Sequence, residues 1–203
     1  MRWKRNLGQV KNKLFIALVF LSLCGCRNYE SKEYIAIENE AINDIILQLI
    51  DYEIIKTNHA DTNHLKLFLF SSLDTMVYDI DESLLLESVY ADDEVRYERL
   101  KKELKKFAPF KEGKIKERTL DYKSEYSNME VVLIPYSLFG EEFRENELGY
   151  LWISRICFNR RFDKGYLQYG FFCGEGCLWK NNIEIVKMNG KWQISEYFSG
   201  GIA

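Results

Sequence analysis

The dipeptide Asn189-Gly190 constrains this chain more than any other feature, because it stands between two runs of alternating apolar and polar residues, 182–188 and 191–198. Both residues tolerate the positive φ that a two-residue type I′ turn demands, so the runs must double back as an antiparallel hairpin. Such a turn also sets the register. Met188 then faces Lys191, Lys187 faces Trp192 and Ile185 faces Ile194, which gathers Ile183, Ile185, Trp192 and Ile194 on one face, a core face. Upstream, Met129–Ile134 reads as a strand stopped by Pro135, and residues 139–142 read as an exposed polar connection. Residues 150–158 and 166–173 are two further strands, with Asp163-Lys164-Gly165 as the turn between them.

The first half carries a different period. From Glu33 onward, Ile35, Glu38, Ile42, Ile45, Ile46, Leu49 and Ile50 recur mostly at spacings of three and four, with Glu40, Asn43, Asp44 and Gln48 falling elsewhere. This is an amphipathic helix whose polar side is acidic, so it suits a sheet better than a membrane surface, which would favour Lys and Arg there. Residues 65–70 form a short apolar strand. Asp92 and Asp93 precede a second helical stretch with Val95, Tyr97, Leu100, Leu104 and Phe107 on one stripe, ended by Pro109. Its pairs Lys101-Lys102 and Lys105-Lys106 read as a solvated face. The expected fold is α+β, with N-terminal helices packed on a curved antiparallel sheet.

Charge is distributed unevenly. Residues 1–25 hold five Lys/Arg and no acid, leaving 23 Lys/Arg against 31 Asp/Glu, net -8, in the remaining 178 residues. An acidic body of this kind does not suit phosphate neutralisation, so no nucleic-acid partner is expected. The basic stretch to Lys13 is followed by an apolar run of ten residues, Leu14 to Leu23, and then by Cys24-Gly25-Cys26. That is the layout of an export signal, since a bilayer span needs roughly 20 apolar residues.

Leu23-Cys24-Gly25-Cys26 resembles the bacterial lipobox. The resemblance implies cleavage after Gly25 and a diacylglycerol thioether on Cys26, with several acyl chains anchoring the protein to a membrane. Residues 1–25 are then a signal peptide, 26–32 a lipidated tether and 33–203 a single α+β domain. Arg27 stands where some lipoproteins carry an inner-membrane retention Asp, which implies the outer membrane.

Catalytic and metal motifs are sparse in this sequence. His59, Asp61 and His64 lack the further ligands of a metal site. Asp79-Ile80-Asp81 opens like a calcium loop, but Leu84 and Tyr90 replace its Gly and Glu. There is no nucleophile elbow, phosphate loop or dinucleotide fingerprint. Of the cysteines left after lipidation, Cys173 and Cys177 flank Gly174-Glu175-Gly176 and are the candidate disulfide of an exported domain, with Cys157 a buried strand thiol. No cofactor or metal is expected.

Ser154-Arg155-Ile156-Cys157-Phe158-Asn159, the Cys173-Gly174 turn and the Lys187 to Trp192 hairpin resemble the C-terminal half of uncharacterised exported proteins of Bacteroidetes-type bacteria. The hairpin also looks like cystatin/NTF2-like sheets, and this likeness implies a helix in the concavity of an antiparallel sheet. The expected function is a lipid-anchored, non-enzymatic binding or interaction module of the cell envelope, held to the membrane through Cys26 and meeting an envelope protein partner. The alternatives are a small hydrolase or isomerase, with Arg155, Tyr169 and Trp192 lining a pocket between helix and sheet, and an immunity or inhibitor protein.

Overall fold

The computed structural model describes residues 28–52, 65–75, 98, 101–102, 105–111, 113–123, 129–140 and 144–198. Residues 1–27, where an export signal was expected, the segment with His59 and His64, the acidic stretch from Asp79 to Glu87 and most of the second expected helical stretch lie outside these residues. Pro109 was expected to end that helix. It lies instead inside a short helix, Ala108–Lys111, that follows a 3-10 turn, Lys105–Phe107. A proline early in a helix is tolerated because its missing N–H has no partner there in any case.

Helix α1 spans Lys32–Leu49 and begins where Ser31 caps it, the hydroxyl accepting from Tyr34 N at 3.2 Å. Its buried side is Tyr34, Glu38, Ala41, Ile42, Ile45, Ile46 and Leu49, continued by Ile50. The stripe expected from the 3.6 period is therefore the packed one, shifted to admit Tyr34 and Ala41, while Ile35 is only partly covered.

The strands in chain order are β1 (Leu65–Phe70), β2 (Ser72–Leu73), β3 (Arg118–Thr119), β4 (Met129–Ile134), β5 (Glu147–Ile153), β6 (Cys157–Phe158), β7 (Lys164–Gly174), β8 (Cys177–Met188) and β9 (Lys191–Phe198). Seven build one sheet in the order β4-β1-β5-β7-β8-β9, with β6 also on β7, and β2 pairs with β3.

This corrects the expected fold class. The described architecture is β-rich, with one long helix and a mixed sheet rather than several helices on an antiparallel, cystatin/NTF2-like one. β1 runs parallel to both neighbours, Leu67 opposite Val131 on β4 and Phe68 opposite Tyr150 on β5. Local turns disclose antiparallel hairpins, whereas a parallel neighbour arrives through a long crossover that leaves no mark at the turn. The composition of β1 fits its central place, because Leu-Lys-Leu-Phe-Leu-Phe offers apolar side chains to both faces.

The last hairpin has the register that its turn demands. Met188 pairs with Lys191, Lys187 with Trp192 and Ile185 with Ile194, while Asn189 and Gly190 have φ of 52° and 81°. A bulge between Glu184 and Ile185 then shifts the pairing, so that Ile183 meets Tyr197. Two boundaries differ from the sequence reading. The run expected as one strand over 150–158 breaks at Ser154–Ile156, and the turn expected at Asp163-Lys164-Gly165 lies earlier, leaving Lys164 and Gly165 in β7. Asn159 produces the earlier turn by accepting from Asp163 N at 3.2 Å and donating its amide to the Asp163 carboxylate at 2.5 Å.

The polar side of α1 serves the exposed edge of β9. Asp44 accepts from Trp192 N at 2.9 Å, Gln48 accepts from Ile194 N at 3.0 Å and donates to Trp192 O at 2.9 Å, and Glu40 meets Lys187 at 2.7 Å. These side chains satisfy backbone groups that an edge strand would otherwise offer to another chain. Between α1 and the sheet lies the main core, which includes Ile42, Ile46, Leu67, Leu151, Leu167, Phe171, Ile183 and Trp192.

Gly149 tests the closeness of β5 to β7. Its φ is 141°, and a Cβ there would lie 2.2 Å from the Phe172 carbonyl oxygen, whereas at Gly176, φ 72°, a Cβ would meet nothing within 4 Å. Gly149→Ala is expected to lower stability by about 3 kcal/mol, and Gly176→Ala by about 1 kcal/mol, the cost of the left-handed conformation alone. Equal midpoints for the two variants in urea denaturation would contradict this.

Candidate functional site

Arg155 lies in the irregular link between β5 and β6 and is fully buried, as is Glu38 on α1. The link is held by backbone bonds, Arg155 N to Asp74 O at 2.8 Å and Ser154 N to Gln168 O at 2.8 Å. From there the guanidinium reaches across to the helix. Its Nε donates to both Glu38 oxygens, at 2.9 and 2.7 Å; Nη1 donates to Glu30 at 3.1 Å and to the Lys116 carbonyl at 2.5 Å; Nη2 donates to the Tyr29 carbonyl at 2.8 Å.

Glu38 is equally committed. Beyond Arg155 it accepts from Arg118 Nε at 2.7 Å and from Ile156 N at 2.7 Å, and the Tyr34 hydroxyl donates to the Ile156 carbonyl. Burial alone would push the Arg155 pKa down, but the charges and hydrogen bonds of Glu38 and Glu30 outweigh it and raise the pKa. The pair is thus a fixed dipole with its hydrogen-bonding capacity filled from five directions. It fastens the Asn28–Ser31 turn, α1, the 116–118 segment and β5 to one another.

The other residues expected at a pocket are also interior. Tyr169 is fully buried, and its hydroxyl accepts from Asn181 at 2.9 Å. Trp192 is fully buried with its ring 5.0 Å from that of Phe158, and its Nε1 has no hydrogen-bond partner among the described residues. Arg155, Tyr169 and Trp192 therefore do not converge on an opening; they fill the space between helix and sheet. Cys173 and Cys177 form a disulfide with Cα atoms 5.2 Å apart, across the Glu175-Gly176 turn of the β7–β8 hairpin, and Cys157 is a buried strand thiol. Gly25 and Cys26 lie outside the described residues. No group of three metal-ligating side chains occurs among the described residues.

Two features of the sheet face turned away from α1 were missed in the sequence, each with buried groups at its centre. The first is an aromatic shelf on the sheet face turned away from α1. Phe68 and Phe70 of β1, Tyr150 and Trp152 of β5 and Phe172 of β7 share that face through the register, and Trp152 lies across Gly170, where a Cβ would come 2.2 Å from Nε1. After β4 the 3-10 turn Tyr136–Leu138 folds Phe139 onto the shelf, with ring centroids 5.0 Å from Tyr150 and 5.2 Å from Phe172. Gly140 N pins the turn by donating to the Tyr150 hydroxyl at 3.2 Å. Tyr136 and Leu138 stay 68% and 64% exposed, so the stretch expected as a polar connection is entered through an apolar projection.

The second is Glu184, buried on the same face. It accepts from Lys164 Nζ at 2.7 Å, from Ser195 Oγ at 3.1 Å and from Tyr166. Burial works to raise its pKa, yet these donors win and hold the carboxyl below the usual carboxylate range. The Tyr166 phenol is pushed up by its own burial and by Glu184. All four resolved shifts among the described residues, at Tyr122, Arg155, Tyr166 and Glu184, point away from neutrality, the opposite of what a general acid or base near pH 7 requires. A shelf of flat rings can supply apolar and stacking contact.

Comparison of the chain with protein-family models, curated proteins and solved structures gave no match.

Because the folded pKa of Glu184 is depressed, its stabilising contribution is complete above its ordinary pKa of 4.5 and is lost as pH falls through the lower folded value. Glu184→Gln should flatten the fall in melting temperature below pH 4.5, and an unchanged acid limb would contradict the assignment. Arg155→Met and Glu38→Met should each cost about 3 kcal/mol, with the double variant costing clearly less than the sum, because each single change strands a buried charge.

Proposed function

We propose that this chain is a lipid-anchored protein of the bacterial cell envelope, exported by residues 1–25 and acylated on Cys26, whose domain acts by binding rather than by catalysis. One structural observation carries most of the argument. The stretch expected as a tether over 26–32 is already part of the domain from Tyr29, whose carbonyl and the neighbouring Glu30 carboxylate are both held by the buried Arg155. This attachment at the first turns supports an anchor just ahead of them. No helix among the described residues is long and apolar enough to cross a membrane.

The binding reading draws on the shelf. An exposed group of large apolar side chains rimmed by polar ones is the ordinary form of a contact surface, and Tyr136, Leu138 and Phe139 meet that description. The interior placement of Arg155, Tyr169 and Trp192 supports this reading over the hydrolase or isomerase alternative.

Growth with a clickable palmitate analogue should label the wild-type chain and leave Cys26→Ala unlabelled; label surviving the substitution would refute acylation at this residue. A photo-crosslinking residue at position 138 should capture one reproducible envelope protein, and Tyr136→Ser with Phe139→Ser should abolish the adduct. Recovery of no reproducible adduct would count against the binding role.

A further inference from the structure

We propose that the end of the sheet beside the amino-terminal turn is the surface this domain turns toward anionic phospholipid headgroups; the inference rests on the anchor at Cys26. Three segments converge there. The Asn28–Ser31 turn is closed by Ser31 N donating to Asn28 O at 3.1 Å and is locked to Arg155, and Lys116 joins the same knot by donating its N–H to Glu30 at 3.4 Å. The turn before β7 packs Phe162 against Tyr34 at the start of α1, with ring centroids 5.7 Å apart. Lys187 N donates to Asp163 O at 2.9 Å, which ties the Asn189-Gly190 tip to that turn.

These segments expose Lys32, Lys114, Lys116, Arg160, Arg161 and Lys191. Two nearby acids are already engaged, Glu30 with Arg155 and Asp163 with Arg161 at 3.0 Å, while Glu33 and Glu117 are exposed. The basic surface extends to exposed Lys105, next to Lys106, whose ammonium lies 4.1 Å over the Tyr166 ring and 3.9 Å from the Glu184 carboxylate. At the opposite end of the sheet the exposed charges are mixed, Asp51, Glu145 and Glu175 with Arg144. Among the described residues the cations are therefore densest where the chain leads back to Cys26.

Distance converts this placement into an orientation. Cys26 precedes Asn28 by two residues, a reach of at most about 7 Å, within the Debye length of about 8 Å at physiological salt. Acyl chains on Cys26 would therefore hold the basic end inside the range of headgroup charge, where each Lys or Arg near an anionic surface is attracted. The aromatic shelf covers a broad face of the sheet rather than this end, so the two surfaces can be occupied together.

The test uses the full chain from membranes, reconstituted into nanodiscs of phosphatidylcholine alone or of phosphatidylcholine and phosphatidylglycerol at three to one. Amine acylation by a water-soluble ester, read peptide by peptide, should be slowed about fivefold at Lys32, Lys116 and Lys191 in the anionic discs relative to detergent. Lys66 and Lys180 should be labelled alike in all three. Arg160→Glu, Arg161→Glu and Lys191→Glu together change only exposed side chains and should remove the protection at Lys32 and Lys116. Uniform labelling of all five lysines in the discs overturns the proposal even when the mass of the amino-terminal peptide shows acylated Cys26. If that peptide carries no lipid, the anchor reading fails by itself, and co-sedimentation of the same chain with the two vesicle types decides the matter. Equal binding to neutral and anionic vesicles then overturns the charged surface as well.

Discussion

The Glu38–Arg155 pair is the interaction on which the rest of the structure depends. It joins the middle of the long helix to the break between β5 and β6, and the other donors and acceptors of the two side chains reach Glu30, Tyr29, Lys116, Arg118 and Ile156. A carboxylate and a guanidinium removed from water are each costly, and their attraction offsets that cost only when the remaining hydrogen-bonding positions are filled. Here they are filled from separate segments, by the backbone of Tyr29, Lys116 and Ile156 and by the side chains of Glu30 and Arg118. The ion pair consequently specifies where those segments lie, which is a different service from adding net stability.

The same helix manages the open edge of the sheet. Asp44 and Gln48 bond the outward N–H and C=O groups of Trp192 and Ile194, so β9 cannot readily accept a further strand. With α1 covering one face and one edge, the other face holds a second, smaller core in which Phe70 and Tyr150 are buried against Ile134, beneath Tyr136 and Phe139. On that face Tyr136, Leu138 and Phe139 are the large apolar side chains that stay exposed among the described residues of the turn.

Local elements were legible because their causes are local. The 3.6 period from Ile35 to Ile50 sets which side of α1 is buried, and Asn189-Gly190 sets the pairing of Lys187 with Trp192, since a turn of two residues admits one register. The strand run over 150–158 was less secure, because apolar content does not show that Ser154 and Arg155 leave the ladder to meet Asp74 and Glu38. The candidate site was read least well. Arg155, Tyr169 and Trp192 are large and polar or aromatic, and nothing in their neighbours along the chain distinguishes a pocket wall from a core that satisfies or covers such groups.

Period, turn chemistry and charge count already specify the helix, the terminal hairpin with its register and the contrast between basic residues 1–25 and an acidic remainder. It took the closed fold to set β1 parallel between β4 and β5, to bring Glu38 to Arg155 across 117 residues, and to place Lys32, Lys116, Arg160, Arg161 and Lys191 at one end of the sheet. The physical reason is range. Periodicity and turns act over a few residues, while parallel pairing, buried ion pairs and surface polarity arise between segments that meet only when the whole chain has closed around its core.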